Sequence, residues 1–161
     1  MTEIDLSKLN ILHNDEDLEI LAQMDVEYVN KNVSYFVSLL NSNRSITIRV
    51  RSVCILAEVG DETAVEGLSK IMLKDPNHLV RHESAFSLGQ LGFSTAVSSL
   101  VNAMLNDENN LVRHEAASAL GSIGDESARD ALVNATSDPD EVVSQSAVIA
   151  LVNLDYLLTK Q

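Results

Sequence analysis

The chain has little of what several common protein classes require. Among its 161 residues are one cysteine, two prolines and no tryptophan, and aromatic residues make up only 4%. The single cysteine, Cys54, excludes an internal disulfide and suits a reducing compartment such as the cytoplasm. So few aromatic residues argue against an aromatic-rich β-sandwich. The few prolines and glycines, with many leucines, alanines and valines, favour helices joined by short turns.

Basic residues are also scarce, since 11 lysines and arginines stand against 24 acidic residues, giving a net charge of −13. Nucleic-acid binding needs a basic face, so nucleic acid is excluded as a partner. The negative charge either attracts a cationic partner or serves solubility alone. No apolar run approaches the ~20 residues of a membrane span, and the acidic start MTEIDLSKLN does not look like a signal peptide. We expect a cytoplasmic protein that does not bind membranes.

A repeat of 32 residues organises most of the sequence. Gly60, Gly92 and Gly124 are spaced by that length, and each unit contains two apolar helical patterns separated by a polar break. The first-helix pattern comprises Ala64, Val65, Leu68 and Met72 in one unit and Ala96, Val97, Leu100 and Met104 in the next. This period predicts an all-α protein, an α-solenoid of about four helical hairpins. Residues 1–31 do not fit the repeat and predict an N-terminal capping helix before a repeat domain at 32–161.

Several other repeated or isolated residues have structural explanations. Arg49, Arg81 and Arg113 share one slot of the repeat, and acidic residues at Asp75 and Asp107 precede two of them at equal distance. We expect these residues to form a ladder of ion pairs rather than a ligand site.

The remaining reactive side chains outside the repeated motifs are expected to be inert. Cys54 is predicted to be a buried thiol. His13 and His78 lie in polar, turn-like stretches and are predicted to be solvated.

A His-Glu pair occurs twice in the same slot, as LVRHESAFSLGQLG at 79–92 and LVRHEAASALGSIG at 111–124. The pairs are His82-Glu83 and His114-Glu115. The same slot holds Val-Arg at 50–51 and, allowing for a one-residue deletion, Gln-Ser at 145–146. The scaffold therefore does not require His-Glu there, and the pairs indicate a binding surface on the middle units.

The spacing of the pairs suits a metal ion held between two units. Neighbouring second helices pack ~8–10 Å apart, so the His of one unit and the His and Glu of the next converge on one point. Two imidazoles and a carboxylate with open positions are the preference of a non-haem Fe(II) centre. Zinc with an activated water uses a similar set.

In these two segments and in the segment 138–157, the sequence resembles the deoxyhypusine hydroxylase family, HEAT-repeat enzymes related to the phycobilisome-lyase type of repeat. The resemblance spans roughly residues 34–158. In that family one chain carries two similar halves, each with two His-Glu motifs. The four motifs hold a di-iron centre that hydroxylates deoxyhypusine, a modified lysine of a translation factor. The present chain carries only one such half.

The resemblance implies that His82, His114 and Glu115 bind iron. Glu83 then lies nearer the second metal, a water or the substrate amine, and is the candidate catalytic residue. We expect a homodimer whose two-fold axis brings the concave faces together, because such interfaces are self-complementary and common. Each chain would supply one iron, giving two per dimer, with dioxygen as co-substrate. The protein substrate implied by the resemblance is the hypusine-containing translation factor.

Three other functions fit parts of the sequence. An acidic HEAT-like scaffold without chemistry would bind a partner without using the His-Glu pairs. A phycobilin-lyase-like protein is permitted by the repeat type alone. A mononuclear metal protein, either a zinc hydrolase or an inactive half-site, would use the same ligands.

Overall fold

A computed structural model describes residues 15–41 and 43–160, and within these ranges the chain is entirely helical, with no strand. Helix α1 (Asp15–Val29) precedes four hairpins. Their helices are α2 (Val33–Ser38) and α3 (Ile46–Val59), α4 (Ala64–Lys74) and α5 (His78–Leu91), α6 (Val97–Asn106) and α7 (Asn110–Ile123), and α8 (Arg129–Ala135) and α9 (Glu141–Leu158). Short 3-10 turns at Ser94–Ala96 and Glu126–Ala128 lead into α6 and α8. The predicted α-solenoid is confirmed.

The predicted capping helix corresponds to α1, which packs against α3. Met24 of α1 is fully buried, and Leu21 lies partly buried against the core. Residues 1–14 of the capping segment lie outside the described ranges. The division of the chain at residue 31 stays a prediction.

The polar breaks and glycines of the repeat define the second helices. Asn77 caps α5, because its side chain accepts a hydrogen bond from the backbone N–H of Leu79 at 2.9 Å. Gly92 ends the same helix with a φ of +74°, a left-handed conformation that glycine adopts without strain. Asn109 and Gly124 repeat this arrangement around α7. The repeat of sequence is thus a repeat of helix boundaries.

The apolar face of each first helix packs into one continuous core. All eight residues predicted from the first-helix pattern are buried, including Met72 and Met104. The second helices pack directly on one another along the array, whereas the first helices contact each other much less. This closer packing makes the second helices the inner, concave layer of the solenoid, the side that such proteins use for binding.

The arginine ladder is confirmed, but each arginine pairs with the next hairpin along the chain. The Nε atoms of the arginines lie 2.8, 2.8 and 2.9 Å from Asp Oδ2 in the pairs Arg49–Asp75, Arg81–Asp107 and Arg113–Asp138. The acidic residue that precedes Arg81 contributes its backbone, since Arg81 Nη1 donates to the carbonyl oxygen of Asp75 at 2.9 Å. These largely buried ion pairs connect each second helix to the turn of the next hairpin.

The prediction of a buried Cys54 was wrong, because Cys54 is exposed on α3. Its slot in the repeat is that of Phe86, which is also exposed. The Cys54 Sγ lies 4.0 Å from Glu83 Oε2 on the next second helix. Partial desolvation by its neighbours and the Glu83 charge raise the pKa of the thiol. His78 is exposed, as predicted, and His13 lies outside the described residues.

Among the described residues, one helix is long and apolar enough to cross a membrane on length and composition alone. It is α9, with 18 residues and a mean hydropathy of 1.3. Ala147, Ala150 and Leu154 on its inner side are buried in the core of the array. Core helices pass the same test, and α9 packs as a helix of the solenoid.

Candidate metal site

The four predicted ligands lie on neighbouring helices of the inner layer. His82 and Glu83 are in the second turn of α5, and His114 and Glu115 are at the same level of α7. All four side chains are half-buried. The repeat therefore brings both pairs to one place, although their side chains divide into two groups.

Glu115 lies between the two histidines. Its Oε2 atom is 3.4 Å from His82 Nε2 and 4.0 Å from His114 Nε2. Ligands held at ~2.0–2.2 Å from one ion, at angles of 90–110°, lie roughly 3.0–3.5 Å apart. The first distance fits shared coordination, and the second is about half an ångström too long. The structure thus brings His82, Glu115 and His114 together, with His114 slightly withdrawn.

Glu83 faces the opposite side of His82. Its Oε1 atom is 3.2 Å from His82 Nδ1, and its Oε2 atom points toward Cys54. Across residues 15–41 and 43–160, no three His, Cys, Asp or Glu side chains converge closely enough to hold a metal ion as they stand. The donor types and the contacts around Glu115 fit a metal, but three-fold coordination needs an adjustment of the His114 side chain.

Ser146 of α9 fixes His114 and was missed by sequence reasoning. Its Oγ lies 2.6 Å from His114 Nδ1 and 2.6 Å from the carbonyl oxygen of Val142. The hydroxyl has one proton, which it donates to the carbonyl, so His114 Nδ1–H must donate to Oγ. His114 Nε2 then presents a lone pair toward Glu115. A hydrogen bond that fixes the tautomer in this way is typical of metal-binding histidines.

Repeat register could have identified Ser146. It occupies the slot of Glu115 in the next hairpin, once the one-residue deletion is allowed for. His82 contacts Glu115, and His114 correspondingly contacts Ser146. Each histidine of the pair motif therefore meets the residue in the glutamate slot of the next hairpin.

The electrostatics around His82 favour a cation. Its two ring nitrogens both face carboxylates, those of Glu83 and Glu115. A neutral imidazole has one N–H and one lone pair, so one contact places a lone pair against an anionic oxygen. The Nε2 atom of His114 makes a second such contact with Glu115. A positive charge placed among these groups would remove both repulsions.

A pocket of about 320 Å³ adjoins the Glu83 side of the cluster. It lies between α1 and α3, and its lining includes Asp25, Tyr28, Cys54 and Glu58. The Tyr28 hydroxyl donates to Glu58 at 2.8 Å, and this hydrogen bond raises the pKa of Tyr28. A cavity of about 530 Å³ around Arg81 belongs to the arginine ladder instead. Arg51 also lines the smaller pocket and pairs with Asp25 at 2.7 Å, so it offsets the charge of one of the two carboxylates there.

The chain is similar to a solved structure and matches one family model. The structure of human deoxyhypusine hydroxylase in complex with glycerol superposes with a TM-score of 0.73 and 29% sequence identity, covering 87% of this chain. The chain spans 48% of the length of that enzyme, which it resembles in part. No curated protein sequence matches it. The family model for HEAT repeats matches residues 65–152, more than half of the chain. The chain belongs to the HEAT-repeat family.

Proposed function

We propose that the chain is one half of an iron-dependent hydroxylase of the deoxyhypusine hydroxylase type, and that two copies complete the centre. The observation that carries this proposal is the approach of His82 and His114 to the carboxylate of Glu115. These two imidazoles and the carboxylate are donors that an Fe(II) ion prefers. The similarity to the human enzyme, at 29% identity over 87% of the chain, supports the choice of iron.

His82, His114 and Glu115 would hold one iron per chain. Ser146 keeps His114 in the tautomer whose Nε2 can act as a ligand. Bound iron would supply the activation of dioxygen. In such a hydroxylation one oxygen atom enters a C–H bond, and the other leaves as water with two electrons from an external reductant.

Glu83 would act on the substrate side of the centre. Its carboxylate is oriented by His82 and lies near Cys54, which lines the pocket between α1 and α3. A carboxylate in this position would bind a substrate ammonium group or accept its proton. The net charge of −13 also favours a cationic substrate. A lysine side chain extended by an aminoalkyl group, as in deoxyhypusine, has this chemistry.

Two copies would supply the two halves that the human enzyme, about twice as long, carries on one chain. One copy has a single set of candidate ligands between α5 and α7, formed by His82, Glu115 and His114. A two-fold axis that faces two inner layers toward each other would bring two such sets together.

Iron content tests the ligand assignment. Protein prepared without oxygen and loaded with Fe(II) should retain about one iron per chain by elemental analysis, since each copy has one ligand set. His82→Ala and His114→Ala should lose the metal. The exposed His78 provides the matched control, because His78→Ala should keep it. Equal iron in all four proteins would rule out the site.

Ser146→Ala tests the positioning of His114. Loss of such a supporting hydrogen bond typically weakens metal binding about 10–100-fold. Ser144→Ala on the same helix, whose hydroxyl bonds only the Glu141 carbonyl, should bind iron normally. Identical affinities for both variants would remove Ser146 from the site.

Activity is tested with deoxyhypusine-bearing translation factor and Fe(II)-loaded protein. Mass spectrometry should show the gain of one oxygen atom, with no gain on the unmodified lysine form. Glu83→Gln should abolish the gain while iron stays bound. Iron binding without oxygen transfer to this substrate would reject the hydroxylase and leave a metal protein of another kind.

A non-catalytic scaffold is the second candidate, favoured by the 4.0 Å separation of His114 from Glu115. It predicts that the chain binds no transition metal at all. It also predicts that substituting all four His-Glu residues leaves partner binding unchanged.

A further inference from the structure

Helix α9 carries an apolar face that the described residues leave uncovered. Val148, Ile149, Val152 and Tyr156 are 50%, 68%, 65% and 57% exposed. Their spacing of three or four residues puts them on one side of the helix. The segment 142–154 contains no charged residue, although the whole chain has a charge of −13.

Repeat register identifies this face as the stacking face of the hairpin. Val152 occupies the slot held by Gly89 in α5 and Gly121 in α7, allowing for the one-residue deletion. In those helices the next second helix approaches at this slot, with Ala119 against Gly89 and Ala150 against Gly121. On α9 no described residue covers the slot.

The slot of Val148, four residues earlier on α9, is also covered in the other hairpins. Val148 corresponds to Val53, Ala85 and Ala117, each of which is fully buried. The stacking face of α9 therefore carries branched apolar side chains. Val152 fills the space that Gly121 leaves for Ala150 in the preceding hairpin.

We propose that this face binds the same face of a second copy, with the two α9 helices antiparallel about a two-fold axis. A register centred between Ala150 and Leu151 places Ile149 opposite Val152 of the second copy. The same register places Glu141 opposite Lys160. Both pairs occur twice, because a two-fold contact is self-complementary.

The charge distribution of the α9 face and the area that it would bury favour a second copy of the chain as its partner. Two chains of charge −13 repel one another, but the α9 face is uncharged at its centre, and the proposed register would place Glu141 of one copy against Lys160 of the other at each end. The four exposed side chains and the rim contribute on the order of 500 Å² per copy, or about 1,000 Å² in total. That total lies at the lower limit of specific interfaces, so the dimer should dissociate on dilution. The negative charge disfavours an anionic lipid surface.

The contact goes beyond the proposed function, because it uses none of the four His-Glu residues and persists without metal. It lies at the edge of the inner layer, one helix from His114. It is independent of the ligands that would hold iron and of the axis that would face two ligand sets toward each other.

Sedimentation velocity over a range of concentrations tests the contact in the full chain. The protein should show a monomer–dimer equilibrium, and Ile149→Glu and Val152→Glu should each raise the dissociation constant at least tenfold. Val133→Glu places the same charge at an exposed position on α8 and should leave the equilibrium unchanged. Circular dichroism must show equal helix content in all variants.

The antiparallel register is tested by charge exchange. Glu141→Lys and Lys160→Glu should each weaken the dimer, and the double variant should restore it, since opposite charges again face each other. Failure of the double variant to recover would exclude this register.

Other occupants predict other outcomes. A chain that stays monomeric at all concentrations would overturn the proposal. A dimer whose dissociation constant is unchanged by Ile149→Glu and by Val152→Glu would also overturn it. Binding of a monomer to phosphatidylcholine vesicles, lost in Val152→Glu, would assign the face to lipid instead. His82→Ala should leave the dimer intact and Val152→Glu should leave iron content intact, so this proposal and the metal site can fail separately.

Discussion

Helices α5 and α7 approach each other closely at Gly89, and this approach offers a direct test of how the repeat positions the His-Glu pairs. A Cβ atom at this position would lie 2.9 Å from both Cα and Cβ of Ala119. Carbon atoms in favourable contact are about 3.5–4.0 Å apart. Gly89→Ala therefore forces the two helices apart by about 0.6 Å or more, because the obstructing atom belongs to the backbone of α7.

Two opposing effects set the change in stability. Overpacking of this kind costs about 1–3 kcal/mol, whereas alanine in a helix interior is favoured over glycine by about 0.5–1 kcal/mol. The expected net loss is centred near ~1 kcal/mol and reaches at most about 2.5 kcal/mol, which for a chain of this size lowers the Tm by up to about 10 °C. The same displacement should lengthen the 3.4 Å contact between His82 and Glu115 and weaken metal binding.

Thermal unfolding followed by circular dichroism measures the effect, with Gln90→Ala as the control. Gln90 is the exposed neighbour on α5, and its replacement should leave the Tm nearly unchanged. Adding Ala119→Gly to Gly89→Ala should recover part of the lost stability, because the second change reopens the space and the two sites are in contact. A higher Tm for Gly89→Ala would show that helix propensity dominates and that the two helices do not pack this closely.

Other substitutions test the ladder and the core. Asp138→Asn should lower the free energy of unfolding by about 1–3 kcal/mol at pH 7. Arg113 holds the pKa of Asp138 below its usual range, so this stabilisation is present above about pH 4 and is lost as pH falls through the folded-state pKa. Urea titrations should show that the original chain and Asp138→Asn differ less in free energy of unfolding at pH 3 than at pH 7. An equal difference at both pH values would contradict the ion pair between Arg113 and Asp138. Met104→Ala should cost about 2–5 kcal/mol because Met104 is fully buried, and a cost below that range would mean the core collapses around it. Arg129 pairs with Glu126 and Asp155 at the surface, so Arg129→Ala should leave the urea midpoint unchanged, and a clear shift would show that this network stabilises the fold.

The fold can be predicted from the sequence because one period fixes both hydrophobic contacts and helix boundaries. Gly92 and Gly124, with the asparagines that precede each second helix, mark the ends of α5 and α7 in the sequence itself. The partners of Arg49 and Arg81 could not be found by proximity in sequence. Each carboxylate lies 26 residues further on, in the next hairpin, where only stacking of the units brings it close.

Side-chain environments were harder to predict than positions. Cys54 was expected to be buried from residue type alone, but its slot also holds the exposed Phe86. A comparison of the whole slot would have been the better guide. The exposure of the apolar face of α9 depends on whether another helix packs against it, which no local pattern in the helix reveals.

The candidate site was predictable in its residues but not in its grouping. Two His-Glu pairs in one slot indicated a common surface on α5 and α7. Glu83 and Glu115 hold the same slot and each reaches the preceding hairpin, so the two carboxylates are kept apart by the stacking of the units. Glu115 turns toward both histidines, and Glu83 turns toward Cys54 in the hairpin before.

Repeat register also explains why two consecutive pairs bring one glutamate between two histidines. Each histidine reaches the glutamate slot of the next hairpin, so His82 meets Glu115, which His114 of the same hairpin also approaches. Beyond α7 the slot holds Ser146, which binds His114 Nδ1 rather than extending the set. Before α5 the slot holds Val50 and Arg51, which offer no histidine to Glu83. Glu83 is therefore the carboxylate of the two pairs that no histidine of a preceding hairpin approaches, and it contacts His82 Nδ1 at 3.2 Å and Cys54 Sγ at 4.0 Å instead.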